Sequence, residues 1–182
     1  MKRPALALTT SLLFGAVQAA ELPPPAYQLA AHGTAVPTDV LYALAVQESG
    51  TKLRGQLIPW PWTLNVATVS YRYPTRSAAC AALLIAINEV GPKRVDAGLG
   101  QLNIGWQRER FDHPCDALDP YQNLMLTARI LAEHKPKSRN WVEAAGRYHR
   151  PAGGKPAERY RESFARHLKR IRGTAYAAGE LE

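Results

Sequence analysis

The sequence lacks most features that would assign a chemistry at once. Only two of its 182 residues are cysteine, Cys80 and Cys115, and neither has a metal-ligand pattern around it. The five histidines are scattered, so no metal and no cofactor are expected. After the first twenty residues no apolar stretch resembles a membrane span. There is no long run of like charge, no internal repeat and no sign of a second domain. What remains is a chain long enough for one domain that buries a core without staples.

The N-terminus reads as an export signal over residues 1–20. Lys2 and Arg3 form its charged start, Ala5 to Val17 its apolar stretch, and VQAA a small-residue cleavage site. Cleavage after Ala19 or Ala20 would release a periplasmic or secreted protein, with an uncleaved anchor as the alternative. Removing Lys2 and Arg3 takes the formal charge from +8 to +6, so the mature chain stays basic. Basic proteins associate with polyanions, but this export route argues against nucleic acid. Cell-wall glycans with acidic peptide stems, or other anionic polymers outside the membrane, fit better. In an oxidising compartment two cysteines invite one disulfide closing a loop of about 35 residues. A buried thiol at Cys80, on a predicted helix face with Leu83, Leu84 and Ile87, is the other reading.

Residues 21–37 start proline-rich and suit an extended leader, with a short helix from Tyr27 to His32. A single domain is expected over 38–173, followed by a tail over 174–182. It opens on a helix from Thr38, as cap, to Gly50. Leu41, Leu44 and Ala45 share one face, and Glu48 continues that stripe. Partial burial and the negative pole of the helix both raise a carboxyl pKa there, as a general acid requires. A half-exposed glutamate beside a Gly50 cap is the simpler alternative.

Between Arg54 and Pro74, Trp62, Leu64 and Val66, then Val69, Tyr71 and Tyr73, alternate around a turn near Ala67 and Thr68, which predicts a β-hairpin insertion. Trp60, Trp62, Tyr71 and Tyr73 can stack on sugar faces or pack the hairpin onto the helices. Thr75 or Ser77 caps a helix to about Glu89, stopped by Gly91-Pro92. VDAGLGQLNIGW then forms a glycine-rich loop holding Gln101 and Asn103. Asp119-Pro120 opens a helix with Gln122 in a capping box and a core stripe of Leu124, Ala128 and Leu131. Asn140 and Glu143 repeat that pattern before Trp141 to Tyr148. A basic helix from Ala157 to about Arg172 turns Tyr160, Phe164, Leu168 and Ile171 inward. The fold class is therefore mainly α, about six helices with one small β-hairpin, and its site belongs in a groove between helix ends and loops.

Three stretches then resemble the ordered motifs of the soluble lytic transglycosylases. These are Glu48-Ser49-Gly50, Gly98-Leu99-Gly100-Gln101, and Ala144-Ala145-Gly146-Arg147-Tyr148-His149. The family carries E-S-G, then G-L-M-Q, then A-x-x-Y-N or close variants, and the resemblance covers roughly Thr38 to Tyr160. PWPWTLNV and GRYHRP are similar to the single-domain branch carried with conjugation and type IV secretion systems. Two positions depart: Gly100 stands where the family has a groove-lining methionine, and His149 where it has asparagine.

The resemblance implies an α+β, lysozyme-like fold whose groove binds peptidoglycan glycan strands, with secretion-machinery proteins as possible neighbours and a monomer as the default. It implies Glu48 as the catalytic acid. Tyr148 would hydrogen-bond near Glu48 or the substrate acetamido group, and Ser49 and Gln101 would support the site and contact sugar. Asn103, His149, Trp60 and Trp62 complete the supporting set. A muramidase is the nearest alternative, with Asp96 as its second carboxylate. A wall-binding assembly protein that does not cut is another, supported by Gly100 and His149 and opposed by the retained Glu48.

Overall fold

The computed structural model describes residues 20–173. The expected signal segment up to residue 19 and the expected tail over 174–182 lie outside the described residues. Six helices and two small antiparallel sheets make an α+β, mainly helical fold.

Its centre is helix α2, Thr38–Ser49. Every residue from Val40 to Val46 is buried, so this is a core helix with no polar side over that run. Four helices account for the burial: α1 (Pro25–Ala31), α4 (Pro120–His134), α5 (Trp141–His149) and α6 (Lys155–Arg172) share one apolar cluster with it. Thr38 does not cap α2. Pro37 occupies the cap position and Thr38 the first turn, where a neighbouring proline pre-sets the entry.

The expected leader is extended only as far as Pro24. Its helix α1 packs Tyr27, Ala30 and Ala31 into the core, with the Tyr27 ring edge-on to Tyr42 at 4.9 Å. Glu21 is held as well: its N–H donates to Ile171 O (2.7 Å), and its carboxylate accepts from Tyr42 Oη (2.8 Å) and pairs with Arg170. Proline content reports the extended entry but not the tyrosine beyond it that needs a core.

Two hairpins form where one is expected. Strands β1 (Gly50–Leu53) and β2 (Gln56–Pro59) pair directly after α2 around Arg54 and Gly55, both at positive φ. Strands β3 (Thr63–Val66) and β4 (Val69–Arg72) form the predicted hairpin, and Ala67 and Thr68 both take positive φ, as a type I′ turn needs. The glycine-rich stretch supplies two further strands, β5 (Val95–Ala97) and β6 (Leu102–Asn103), giving the sheet order β4-β3-β5-β6. At the sheet edge, all four β4 residues are exposed.

Helix α3, Arg76–Val90, covers this sheet. Thr75 caps it by accepting from Ala78 N (3.2 Å), and Gly91 ends it at φ 82°. Its buried residues are Ala79, Leu83 and Ala86; Leu84, expected on that face, is 43% exposed. Leu64, Leu83, Val95 and Leu118 anchor a second apolar cluster, and the Cys80–Cys115 disulfide closes its edge. The cross-link spans 35 residues and contributes about 3–4 kcal/mol in the chain-entropy account. It is consistent with an extracytoplasmic protein. Among the described residues no helix is long and apolar enough to cross a membrane.

The other helices follow their caps closely. Asp119 accepts from Tyr121 N and Gln122 N at the start of α4, where Leu124, Ala128 and Leu131 are buried. Asn140 accepts from Glu143 N at the start of α5, but Glu143 reaches back to Arg139 N instead of closing a box on Asn140. Tyr160, Phe164, Leu168 and Ile171 of α6 all face the core.

Candidate active site

A cleft of about 600 Å³ opens between the helical cluster and the sheet. Helix α2 delivers Glu48 to it, β3 and β5 deliver Asn65 and Asp96, and α4 and α5 bring His134, Tyr148 and His149. Gln101, Asn103, Trp106 and Gln107 come from the glycine-rich stretch and its continuation.

Glu48 reaches the cleft because α2 stops beside it. The next residue but one, Gly50, starts β1, and a Cβ there would lie 2.3 Å from Val46 O, so only glycine lets the chain turn so closely. Ser49 is fully buried, with Oγ 2.9 Å from both Ala45 O and Leu99 O. It pins the end of α2 to the glycine loop and is not among the residues that line the cleft, where the expected sugar contact would be made.

The Glu48 carboxyl accepts a hydrogen bond from Tyr160 Oη at 2.5 Å. Its pKa is pushed up from 4.5 to about 7, chiefly by burial. The negative charge of Asp96 adds to the rise, and the Tyr160 hydrogen bond opposes it by favouring the carboxylate. Tyr160 therefore occupies the place expected of Tyr148. The Tyr148 hydroxyl donates instead to Gly100 O at 2.6 Å, holding the glycine loop against α5. Burial and the nearby Glu48 charge keep that phenol protonated. Its helical spacing with Phe164 marks Tyr160 as core, and the pattern carries no sign that its hydroxyl reaches across to α2. Should Glu48 serve as a general acid, replacing Tyr160 by Phe is expected to lower kcat/KM about tenfold and move the alkaline limb of the pH profile upward. A pH-rate profile of Tyr160→Phe checks both.

The glycine stretch is a hairpin built around close contacts. Gly98 takes φ 83°, and a Cβ there would meet Asn123 Nδ2 at 2.2 Å. Gln101, at φ 47°, donates from Nε2 to Gly98 O (2.8 Å) and Thr63 O (3.1 Å) and lines the cleft. Asn123 of α4 organises the turn: Nδ2 donates to Ala97 O and Ala117 O, and Oδ1 accepts from Gly100 N. The sequence pattern does not mark it, because it lies beside the α4 core stripe. An asparagine four residues before a threonine, Asn123 and Thr127, directly beside the Leu124 and Ala128 stripe, is the signal the sequence offers.

Asp96 and Asn103 face each other across β5 and β6, and Asn103 Nδ2 donates to Asp96 Oδ1 at 2.7 Å. Burial lifts the Asp96 pKa, against that hydrogen bond. Asn103 Oδ1 in turn accepts from Trp106 N (3.0 Å), setting Trp106 on the cleft rim, where the residue is 69% exposed. Trp106 is the aromatic residue that sequence reasoning missed. The expected pair, Trp60 and Trp62, lies outside the cleft lining. Those two rings meet edge-on at 5.9 Å, Trp60 donates to Tyr73 O, and Trp62 packs on the sheet cluster. His149 stacks flat on Tyr160 at 4.4 Å, and burial lowers its pKa, which favours the neutral ring.

The site thus joins one carboxyl that titrates near neutrality, a second carboxyl across the cleft, and four amide side chains, Asn65, Gln101, Asn103 and Gln107. Amides donate and accept at once and suit hydroxyl and acetamido groups. Among the described residues no three His, Cys, Asp or Glu side chains are grouped to hold a metal ion. Comparison with protein-family models, with curated proteins and with solved structures returns no match for the chain.

Proposed function

We propose that the protein is a periplasmic peptidoglycan lytic transglycosylase of lysozyme-like fold, opening the wall locally during assembly of a secretion or conjugation apparatus. The observation that carries the reading is Glu48, a carboxyl lifted to about 7 within a groove large enough for several sugar rings. The motif resemblance supplies the substrate: the β-1,4 bond between N-acetylmuramic acid and N-acetylglucosamine.

One carboxyl group serves both halves of the reaction. Protonated Glu48 gives its proton to the bridging oxygen as the bond to the anomeric carbon breaks. The substrate N-acetyl group stabilises the cationic centre. Glu48, now a carboxylate, takes the proton of the C6 hydroxyl, whose oxygen bonds to the anomeric carbon within the same sugar. The product carries a 1,6-anhydromuramic acid end, no water is consumed, and Glu48 returns to its starting state. Intramolecular attack has the entropic advantage of a nucleophile already held in place. Tyr160 holds the carboxyl and stabilises its charged state between the two halves, while Gln101 and Tyr148 hold the loop that faces it.

Mass spectrometry of muropeptides released from purified peptidoglycan tests the proposal. Products one water lighter than the reducing-end species, absent with Glu48→Gln, are expected; ordinary reducing ends would overturn it.

Asp96, in the same cleft and electrostatically coupled to Glu48, favours a muramidase as the second reading. In the transglycosylase reading Asp96 only tunes Glu48. Asp96→Asn then keeps most activity and moves the alkaline limb to lower pH, because a negative charge beside Glu48 is gone. A loss as large as that of Glu48→Gln, in a folded variant, would favour the hydrolase.

A further inference from the structure

A second cavity, of about 160 Å³, lies beside the first and shares Pro151 with it. It sits where α5 ends and α6 begins, and three guanidinium side chains line it: Arg147, Arg150 and Arg161. One carboxylate, Glu143, also lines it, but its Oε2 already accepts from Arg139 N and Nε, and its Oε1 stands 4.0 Å from Arg147. Arg147 Nε is a buried donor without a hydrogen-bond partner among the described residues. Neither Arg150 nor Arg161 makes an ion pair among them. The cavity therefore holds more positive charge than its one carboxylate balances, and donors left to fill.

From this we propose that the arginine cavity binds a carboxylate of the peptide stem carried by the glycan strand in the cleft. Planar guanidinium forks match a carboxylate in two parallel hydrogen bonds. The volume admits a short acid side chain or chain end and excludes a sugar ring pair. The shared Pro151 places it where a branch leaving the cleft past α5 would arrive. The inference rests on the glycan-cutting reading of the cleft, and its test separates the two.

The first arm follows the arginine Nε–H signals by NMR while the full mature protein is titrated with N-acetylmuramoyl dipeptide or with inorganic phosphate. Shifts at Arg147 and Arg161 with the dipeptide, lost in Arg150→Ala, are expected. Phosphate alone shifting them, or neither ligand doing so, overturns the proposal whether or not the protein cuts glycan. The second arm compares cutting of stem-bearing and stem-free strands. Arg150→Ala is expected to raise KM on stem-bearing strands about tenfold, the loss of one charge-assisted pair, and to leave stem-free strands unaffected. Equal effects on both strands overturn it. Arg161→Gln, which keeps the Cγ that packs beside Gly146, repeats the test at a second wall. Failure of the unmutated protein to cut either strand rejects the glycan-cutting reading, and with it the stem assignment. The titration then shows only whether the cavity binds a carboxylate.

Discussion

On the proposed glycan-cutting reading, Glu48→Gln is expected to remove about 10²–10⁴-fold of the cutting rate and, at alkaline pH, to make the protein more stable. Both effects come from the same burial. Gln retains the shape and the carbonyl oxygen that accepts from Tyr160, but it has no proton to give and none to take. In the unmutated protein kcat/KM should fall about tenfold per pH unit above pH 7, where Glu48 enters the reaction already ionised.

The stability effect has a definite sign. The carboxyl titrates near 4.5 when unfolded and near 7 when folded, so between those values the folded state binds more protons. Stability conferred by the protonated group is complete below pH 4.5 and is lost as pH rises through 7. At pH 8 the folded protein carries an ionised carboxylate in a poorly solvated place, at a cost on the order of 2 kcal/mol once the partial opening to the cleft is allowed for. Glu48→Gln does not bear that cost. Thermal unfolding should show the variant melting on the order of 5 °C higher at pH 8, with the gap closing by pH 4.5. An equal gap at both pH values would mean that Glu48 titrates as an ordinary surface glutamate.

The sequence disclosed what local chemistry controls. The caps Thr75, Asp119 and Asn140, the Ala67-Thr68 turn and the inward stripe of α6 are all decided within a few residues of themselves. Glu48 was legible because an acid on an apolar stripe breaks the pattern around it. Long-range partners were not legible. Tyr160 lies 112 residues from Glu48, and its hydrogen bond depends on how α6 lies against α2. Asn123 reaches the glycine loop from another helix, and Trp106 is held at the cleft by its link to Asn103 and by Lys93 over its ring. The role of the tryptophans around β3 stays open in the sequence because an aromatic ring suits a sugar face or a core equally, and only the packed sheet distinguishes them. The β1–β2 hairpin is not legible in the sequence because Arg54 occupies a positive-φ position that glycine or asparagine usually marks.

Gly100 has the second large expected effect. At this position the resembled motif carries methionine, so restoring Met looks conservative, yet Gly100→Met should unfold or strongly destabilise the protein. A Cβ there would lie 1.9 Å from Thr127 Oγ1, 2.8 Å from its Cγ2 and 2.9 Å from its Cβ. Thr127 is buried and β-branched on α4, so it has no flexible end to swing away. The loop would have to move instead, and it is tied at Gly100 N by Asn123 and at Gly100 O by Tyr148. Overpacking with the loss of two hydrogen bonds, one buried and one partly buried, should cost at least about 3 kcal/mol. The same clash meets Gly100→Ala, which isolates the first carbon from the rest of the side chain. Thr127→Ala removes the two nearer groups but leaves its own Cβ at 2.9 Å, so it should relieve only part of the damage. A double-mutant cycle in urea measures this: Gly100→Ala with Thr127→Ala should be less destabilised than the sum of the single variants by about 1–2 kcal/mol. Additive costs would place the strain elsewhere. Positive coupling would show that glycine at 100 and threonine at 127 are one packing solution, in which α4 fills the space a methionine would need.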